Sequence, residues 1–414
     1  MVLGAIIVVR SVMNQFLNDS ERFVYDICRQ SFLSLWSYAN PLGKAGNELC
    51  DILVVCDPDV IIVSVKEIGL KNGGEPSNDW ERWRKKAIDA SVKQIYGAER
   101  WIAEASNIIR SDGSPGIKFP ARGVRRVHRL AVALGGQGKV PIHFGDFGKG
   151  FVHVFDEKSL QVIMTELDTI QDFIEYLSAK EALYNSHRAT VLTGGEEDLM
   201  AFYLHKGRQF PDEHDLLVVG DDLWEGFSKK NEYKAKKAAD ENSYVWDRLI
   251  EGLSKDIMSG SLEFGPDLNE SEAAVRVMAR ENRFSRRMLG KSFTEFYELA
   301  RQKKVRSRMA MSLSDVTYVL LALQHGEDRK YRAAELSGRC FVARGLHPDR
   351  KTVIGLATER YEEGKGYSFD IVYLYKEIWT EEDQKQMRYA QKEFGYFATP
   401  RMQKVSEDEY PLQS

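Results

Sequence analysis

Two short apolar runs separated by a turn form the strongest hydrophobic pattern in the chain. Residues 52–56 and 60–63 are almost entirely valine, isoleucine and leucine, which is typical of buried strands. Between them, residues 57–59 read Asp-Pro-Asp, a composition that favours a tight turn. The pattern therefore predicts a buried β-hairpin.

Charged side chains mark the open end of this hairpin. Asp51 precedes the first strand and Lys66 follows the second. With Pro58-Asp59 as a two-residue loop, Asp51 lies directly opposite Lys66, and Ser64 shares their face of the sheet. A loop one residue longer would put Asp51 and Lys66 on opposite faces. The pair indicates either a salt bridge at the strand ends or a metal site assisted by an ammonium group.

Helical periodicity flanks the hairpin on both sides. Upstream, residues 18–21 read Asn-Asp-Ser-Glu, a run of polar capping residues typical of a helix start, and Glu21 shares a face with the apolar residues of that helix. An inward Glu21 needs a metal or a cationic partner, whereas a first-turn glutamate is also stabilised by the helix dipole. Downstream, residues 80–102 predict an amphipathic helix with Gln94 in its apolar stripe. Gln94 either orients a water or a phosphate, or is an ordinary core polar group.

Further strands and helices follow in the first half of the chain. The pattern predicts strands at 125–134 and 151–155, and a helix over 159–183 capped by Ser159. The apolar segment 1–10 is too short to span a bilayer and lacks the basic start of a signal peptide. It predicts a leading strand or a segment packed on the core.

The second half is predicted to be mainly helical and then to end in a small α/β unit. Residues 190–335 show helical patterns, apart from a strand-like segment at 216–219. Strands at 352–358 and 369–375 and a helix over 380–394 predict the α/β unit.

Length and composition limit the class of protein. A chain of 414 residues is long enough for two or three domains, and we predict boundaries that give 1–188, 189–335 and 336–414. The net charge of −4 neither requires nor excludes a nucleic-acid partner. The four cysteines have no C-x-x-C spacing, and the eight histidines form no zinc pattern. We therefore expect reduced, buried cysteines and a cytoplasmic protein without a membrane segment.

The succession of these features resembles the PD-(D/E)XK, or restriction-endonuclease-like, nuclease superfamily. A helix with Glu21, a hairpin with Asp51 and then x-Lys66, and a following helix with Gln94 are the layout of that family, over roughly the first third of the chain. The resemblance implies an αβββαβ core, with a mixed sheet between helices, in an α/β protein. It also implies that 1–188 is a nuclease domain with Mg2+, or Mn2+, as its cofactor.

One position departs from the family motif, because Ser64 stands where the motif has an acid. Either Glu48 or Glu67 takes over, or the metal is held by fewer ligands, or the site is degenerate. Glu48 is favoured because it stands at the mouth of the hairpin. The resemblance then implies the catalytic residues Asp51, Lys66, Glu48 and Gln94 and the metal ligands Asp51, Glu48 and Glu21.

A dense basic segment lies in the predicted helical region, between residues 276 and 308. It favours contact with backbone phosphates. A solvated helix surface, or ion pairing with the acidic stretches at 194–223, stays open as the alternative. The residues that we predict for nucleic-acid contact are Arg283, Arg286, Arg287, Lys303 and Lys304.

Two functions from different classes follow. The first is an Mg2+-dependent endonuclease acting on nucleic acid, with DNA favoured, in restriction or anti-phage defence by analogy. The second is a degenerate nuclease fold that binds nucleic acid or serves as an assembly subunit, which Ser64 favours. A homo-oligomer and a defence-system partner protein both stay open, and the acidic tail around residues 407–409 is expected to be frayed.

Overall fold

The computed structural model describes residues 18–70, 76–136, 138, 142–186, 189–261, 267–399 and 401–411. The predicted N-terminal segment 1–10 lies outside the described residues. The chain forms two compact units. The first comprises Met1–Asp168 with Phe173–Leu223, and the second comprises Thr169–Asp172 with Trp224–Ser414. The predicted division into three domains stays a prediction.

The first unit is built on a six-stranded mixed sheet with the order β1-β2-β3-β6-β8-β7. The strands β3, β6 and β8 run parallel to one another, whereas the pairs β1–β2, β2–β3 and β8–β7 are antiparallel. The six strands are β1 (Ser37–Ala39), β2 (Ile52–Cys56), β3 (Asp59–Glu67), β6 (Arg126–Leu134), β7 (Gly145–Asp146) and β8 (Phe151–Phe155). Two small pairs accompany this sheet, namely β4 (Asn107–Ile109) with β5 (Pro115–Lys118), and β9 (Ala189–Leu192) with β10 (Leu216–Val219).

Helices cover this sheet. They are α1 (Asp19–Phe32), α2 (Pro76–Arg84), α3 (Ala90–Ile102), α4 (Glu157–Glu166), α5 (Ile170–Asn185) and α6 (Glu196–His205). A π-helical turn joins α2 to α3, so the helix predicted over 80–102 is confirmed with a local irregularity. The predicted α/β class with a mixed sheet between helices is confirmed.

The hairpin of β2 and β3 forms as predicted, but its register differs from the prediction. Ile52 pairs with Val63 and Cys56 pairs with Asp59, so the two-residue loop is Asp57-Pro58. Continued by one residue, this register sets Asp51 opposite Ser64 rather than opposite Lys66. The predicted loop, Pro58-Asp59, lies one residue too far along the chain. Moving the loop back by one residue changes the pairing partner of each residue by two positions. Side chains alternate with a period of two, so Asp51, Ser64 and Lys66 still share one face.

The burial of β3 determines where the sheet meets solvent. Every residue of β2 is buried, and β3 is buried from Asp59 to Val65, whereas Lys66 is half-buried and Glu67 is exposed. The end of β3 is therefore the place where the apolar core gives way to charged side chains. Polar groups at this level keep access to solvent while their backbone stays fixed by the sheet.

Three local predictions in the first unit need correction. The helix predicted over 159–183 is two helices, α4 and α5, because the chain leaves helical geometry after Glu166. The cap of α4 is Asp156, whose carboxylate accepts from the Ser159 amide, so Ser159 lies inside the helix. We also expected a loop over residues 36–47, leading into the hairpin, but this segment contains β1.

The second unit combines helices with a four-stranded sheet of order β11-β12-β13-β14. Its helices are α7 (Leu223–Ser228), α8 (Asn231–Asp240), α9 (Tyr244–Ser259), α10 (Leu268–Ala279), α11 (Arg283–Arg301), α12 (Arg329–Leu346) and α13 (Glu381–Phe394). Its strands are β11 (Ser307–Met311), β12 (Val316–Leu323), β13 (Thr352–Glu359) and β14 (Phe369–Tyr375). The strands β13 and β14 and the helix α13 confirm the prediction, whereas β11 and β12 lie in a region that we predicted to be helical.

The central strands of this sheet are far apart in the sequence. β12 pairs in parallel with β13, and α12 provides the crossover between them. The predicted boundary between residues 335 and 336 falls inside α12. All four cysteines are free and buried, as expected. Among the described residues, no helix combines the length and apolar character that a bilayer span requires.

Candidate active site

A buried carboxylate lies at the open end of the hairpin. Asp51 is only 2% exposed, and one of its oxygens, Oδ2, accepts a hydrogen bond from the backbone amide of Val65. The ammonium group of Lys66 lies 3.4 Å from the same oxygen. The other oxygen, Oδ1, accepts from Nε2 of Gln94 at 3.0 Å. Three donors from β3 and α3 therefore fix the orientation of this carboxylate.

Ser64 belongs to the same network. Its hydroxyl donates to Oε1 of Gln94 at 2.8 Å, and the amide group of Gln94 then donates to Asp51. Because Gln94 lies on α3, this chain of hydrogen bonds ties the helix to the edge of the site. Ser64 thus holds a glutamine in place, and the glutamine holds Asp51.

Two further carboxylates lie near Asp51. Glu48, which precedes it in the chain, has its pKa raised to about 7 by partial burial, by a hydrogen bond with Asp51 and by the charges of Asp51 and Glu21. Burial and the charge of Asp51 also raise the pKa of Glu21, which Lys66 partly offsets. These three carboxylates are thus close enough for their charges to raise the pKa of both glutamates, and the single positive charge of Lys66 only partly offsets their negative charge.

Glu21 also has the structural role that the sequence left open. The backbone amide of Glu21 donates to Oδ1 of Asn18 at 2.8 Å, and the carboxylate of Glu21 accepts from the backbone amide of Asn18 at 3.4 Å and from its Nδ2 at 2.7 Å. This is a capping box at the start of α1. The capping interaction fixes a carboxylate beside Asp51, so the two interpretations of Glu21 are compatible.

Glu67, the alternative replacement acid, faces another partner. Its carboxylate accepts a hydrogen bond from the hydroxyl of Ser20, and its residue is exposed. It is the neighbour of Lys66 on β3, so it points to the opposite face of the sheet. Of the two acids considered for the missing position, only Glu48 lies beside Asp51.

The basic segment of the second unit is largely occupied by internal ion pairs. Arg283 and Arg286 each lie 2.7 Å from the carboxylate of Asp247, and both arginines are buried. Arg287 is fully buried and pairs with Asp240 at 3.2 Å. Buried guanidinium groups cannot reach a phosphate backbone, so the predicted nucleic-acid contact of these three arginines was wrong. The alternative of ion pairing is thus realised here with Asp240 and Asp247, which belong to the same unit.

The C-terminal tail supplies other partners, and the expectation that it is frayed was wrong. The guanidinium of Arg287 donates to the carbonyl oxygen of Asp408 at 2.8 Å. The ammonium group of Lys291 lies 2.7 Å from Glu407. The remaining predicted contacts, Lys303 and Lys304, are exposed, and their role stays a prediction.

Sequence reasoning missed a second cluster of ionisable side chains in the first unit. His128 on β6, His153 on β8 and Glu181 on α5 bring one ligand atom each to within 4.8 Å of one another. The residues are far apart in sequence, and the histidine spacing fits no zinc motif. The only available signal was that both histidines fall in predicted strands of one sheet.

Comparisons with known proteins assign neither a family nor a function to the chain. The chain matches no protein-family model, and neither curated proteins nor solved structures give a match. The functional argument therefore rests on the geometry of the chain itself.

Proposed function

We propose that the chain is a metal-dependent endonuclease that hydrolyses phosphodiester bonds of nucleic acid, with DNA favoured. The observation that carries the proposal is the grouping of Glu21, Glu48 and Asp51 with Lys66 at the end of β3. A restriction or anti-phage defence role, a cytoplasmic location, and assembly with further copies or a partner protein are parts of this proposal that rest on analogy.

The donor set fits a hard divalent cation. Carboxylate oxygens are the ligands that Mg2+ prefers, and Mn2+ accepts the same set. The carboxylates of Glu21, Glu48 and Asp51 face one ammonium group. Partial burial, and then the negative charge of the neighbouring carboxylates, raise the pKa of both glutamates. A cation would remove the repulsion between these charges. Glu21, Glu48 and Asp51 would hold it, and when bound it would polarise the phosphate and acidify a water molecule.

The other side chains have roles that follow from their contacts. The ammonium group of Lys66 is about one-third exposed, with 32% of its side-chain surface accessible, and can reach the oxygens of a phosphate while it stays beside Asp51. It would stabilise negative charge that develops during hydrolysis. Gln94 donates a hydrogen bond directly to Asp51, and Ser64 donates one to Gln94. Both would therefore act as positioning residues for Asp51.

A cleavage assay tests the proposal. Supercoiled plasmid, linear duplex, single-stranded DNA and RNA would be incubated with the protein in Mg2+, Mn2+ or EDTA. We expect metal-dependent cleavage of DNA that Asp51→Asn and Lys66→Met each reduce by a factor of about 100 or more, as for loss of a group that stabilises the transition state. Glu104→Gln is the matched control, because its carboxylate is 78% exposed and pairs with Arg122 away from this group.

The alternative function is a degenerate nuclease fold that binds nucleic acid or serves in assembly. Ser64 favours it, because a hydroxyl replaces a carboxylate ligand of the family motif. Salt-sensitive binding without cleavage of any substrate, unchanged in Asp51→Asn, would support this alternative against the nuclease. Cleavage that survives both substitutions would show that the hydrolytic centre lies elsewhere.

A further inference from the structure

The histidine cluster of the first unit lies on the other face of the sheet from the candidate active site. Ser64 pairs with Ala131 of β6, and His128 is three residues before Ala131, so its side chain points to the opposite face. His153 pairs with Leu130, which places it on the same face as His128. α5 covers this face and contributes Glu181. The cluster is thus separate from the carboxylates around Asp51.

Two of the three separations between the ligand atoms are close to those of a transition-metal site, and all three atoms lie within 4.8 Å of one another. Oε1 of Glu181 lies 2.9 Å from Nε2 of His153 and 3.3 Å from Nδ1 of His128. In a tetrahedral zinc site with bonds of about 2.0–2.1 Å, neighbouring ligand atoms lie about 3.3 Å apart. Small side-chain adjustments would therefore suffice to admit a cation between the two imidazoles and the carboxylate.

The surroundings of His128 have the form of a second ligand shell. Its other ring nitrogen, Nε2, lies 3.2 Å from Oδ1 of Asp59, and Asp59 is 1% exposed. The second oxygen of Asp59 accepts from Arg126 at 2.8 Å. Metal-binding histidines commonly donate their free N–H to a carboxylate, which fixes the ring and its tautomer. Asp59 is correctly placed for this role, and Arg126 fixes Asp59.

The cluster lies where the buried core meets a more accessible side chain. His153 is fully buried. Glu181 keeps a route to solvent, since 24% of its side chain is exposed.

We propose that His128, His153 and Glu181 bind a zinc-class dication, with Asp59 as the second-shell carboxylate that orients His128. Imidazole donors select a transition metal over Mg2+. The site would link α5 to β6 and β8 and would contribute to folding, because the ligands come from three separate elements. The proposal is independent of the nuclease activity and extends the chemistry of the first unit beyond it.

The competing explanation is a buried ion-pair network without a metal. In that arrangement a protonated His128 bridges Asp59 and Glu181, and His153 donates to Glu181. The two explanations differ in metal content, in the response of stability to zinc, and in the effect of Asp59.

The test uses the full chain in an Asp51→Asn background, so that zinc bound by the other carboxylates does not interfere. The protein would be stripped with chelator, and Zn2+ binding would be measured by competition with a chromophoric chelator. Co2+ would be added separately to record the visible absorption of a tetrahedral site. We expect one equivalent of Zn2+ per chain with sub-micromolar affinity, and a zinc-dependent rise in the thermal unfolding temperature.

Three variants distinguish the explanations. Glu181→Gln keeps the volume and an acceptor for His153, and should weaken Zn2+ binding by about 100-fold or more. Asp59→Asn should weaken it by about 10–100-fold, the usual effect of losing a second-shell partner. His325→Ala, which removes a histidine of the second unit, should leave binding unchanged.

Specific results would overturn the proposal. If the folded parent protein binds no Zn2+ in the competition titration and shows no tetrahedral Co2+ absorption, the ion-pair network is the explanation. Zinc affinity that is equal in the parent and in Glu181→Gln, with both proteins folded by circular dichroism, would equally contradict it. If Glu181→Gln fails to fold, Asp59→Asn decides, because it removes no direct ligand.

Discussion

The raised pKa of Glu48 leads to a pH dependence of metal binding that can be calculated. Partial burial and the charges of Asp51 and Glu21 raise the pKa of Glu48 to about 7, from an ordinary value of 4.5. A cation binds the ionised carboxylate, so the proton on Glu48 must leave when the metal enters. At about pH 8 roughly nine-tenths of Glu48 is ionised, and at about pH 6 roughly one-tenth. The dissociation constant for Mg2+ should therefore be about tenfold weaker at the lower pH.

Isothermal titration calorimetry without nucleic acid measures this effect separately from cleavage. Titrations at both pH values, each in two buffers with different ionisation enthalpies, give the affinity and the number of protons released. At about pH 6 we expect nearly one proton released per Mg2+, and at about pH 8 nearly none. In Glu48→Gln the pH dependence should disappear, and Mg2+ should bind at about pH 8 no more tightly than it binds the wild type at about pH 6. Glu104→Gln, which removes an exposed carboxylate elsewhere, should behave as the wild type.

Stability provides a check that needs no metal. The pKa of Glu48 is raised in the folded protein, so the folded state binds more protons than the unfolded state between about pH 4.5 and 7. The free energy of unfolding should therefore fall as the pH rises through this interval, and this part of the fall should vanish in Glu48→Gln. Equal pH dependence of Mg2+ affinity in the wild type and in Glu48→Gln would refute the reasoning, because the proton would then belong to another group.

Three other substitutions test the packing and the hydrogen bonds. Arg287→Ala removes the guanidinium that pairs with Asp240 and Glu407. Because Lys236 still pairs with Asp240, the free energy of unfolding, measured in urea, should fall by about 3 kcal/mol, the lower end of the range for a broken buried pair, while nucleic-acid affinity stays unchanged. Gly290→Ala would bring a Cβ to 2.1 Å from a backbone oxygen and should cost at least about 1–3 kcal/mol, whereas Gly226→Ala meets nothing within 4 Å and should be neutral or stabilising in the same measurement. Ser64→Ala removes the donor to the neighbouring glutamine and should cost about 1 kcal/mol together with a loss of cleavage rate, and an unchanged rate would show that the serine does not position the site.

Local sequence patterns were sufficient for elements whose residues are close in the chain. The helix start within residues 18–21, the strands of the central hairpin and the helix α13 are determined by neighbouring residues, and the structure confirms them. The strands β11 and β12 were missed because their pairing partner β13 lies beyond α12, and no local pattern indicates a distant neighbour. Tertiary pairing overrides weak local preferences in such cases.

The candidate site shows the same limit at the level of side chains. Alternation within β3 correctly grouped Ser64 with Lys66, since both lie two residues apart on one strand. The burial of Arg287 could not be predicted, because its partners Asp240 and Glu407 come from segments far away in sequence. A run of basic residues predicts charge density, but whether this charge faces solvent depends on acids that only the fold brings near.

The serine in place of the expected acid and the unusual position of Glu48 are best understood as one rearrangement. An acid at position 64 would lie directly opposite Asp51, and two carboxylates at that distance from each other would both have to be buried, because position 64 is fully buried. Ser64 removes this cost and supplies a donor for Gln94, which in turn donates to Asp51. The second negative charge is provided by Glu48, which is partly exposed and can take up a proton when no cation is present. In the proposed nuclease site, Glu48 would thus supply the second acid at the mouth of the hairpin, where solvent lowers the cost of the metal-free state, rather than in the core.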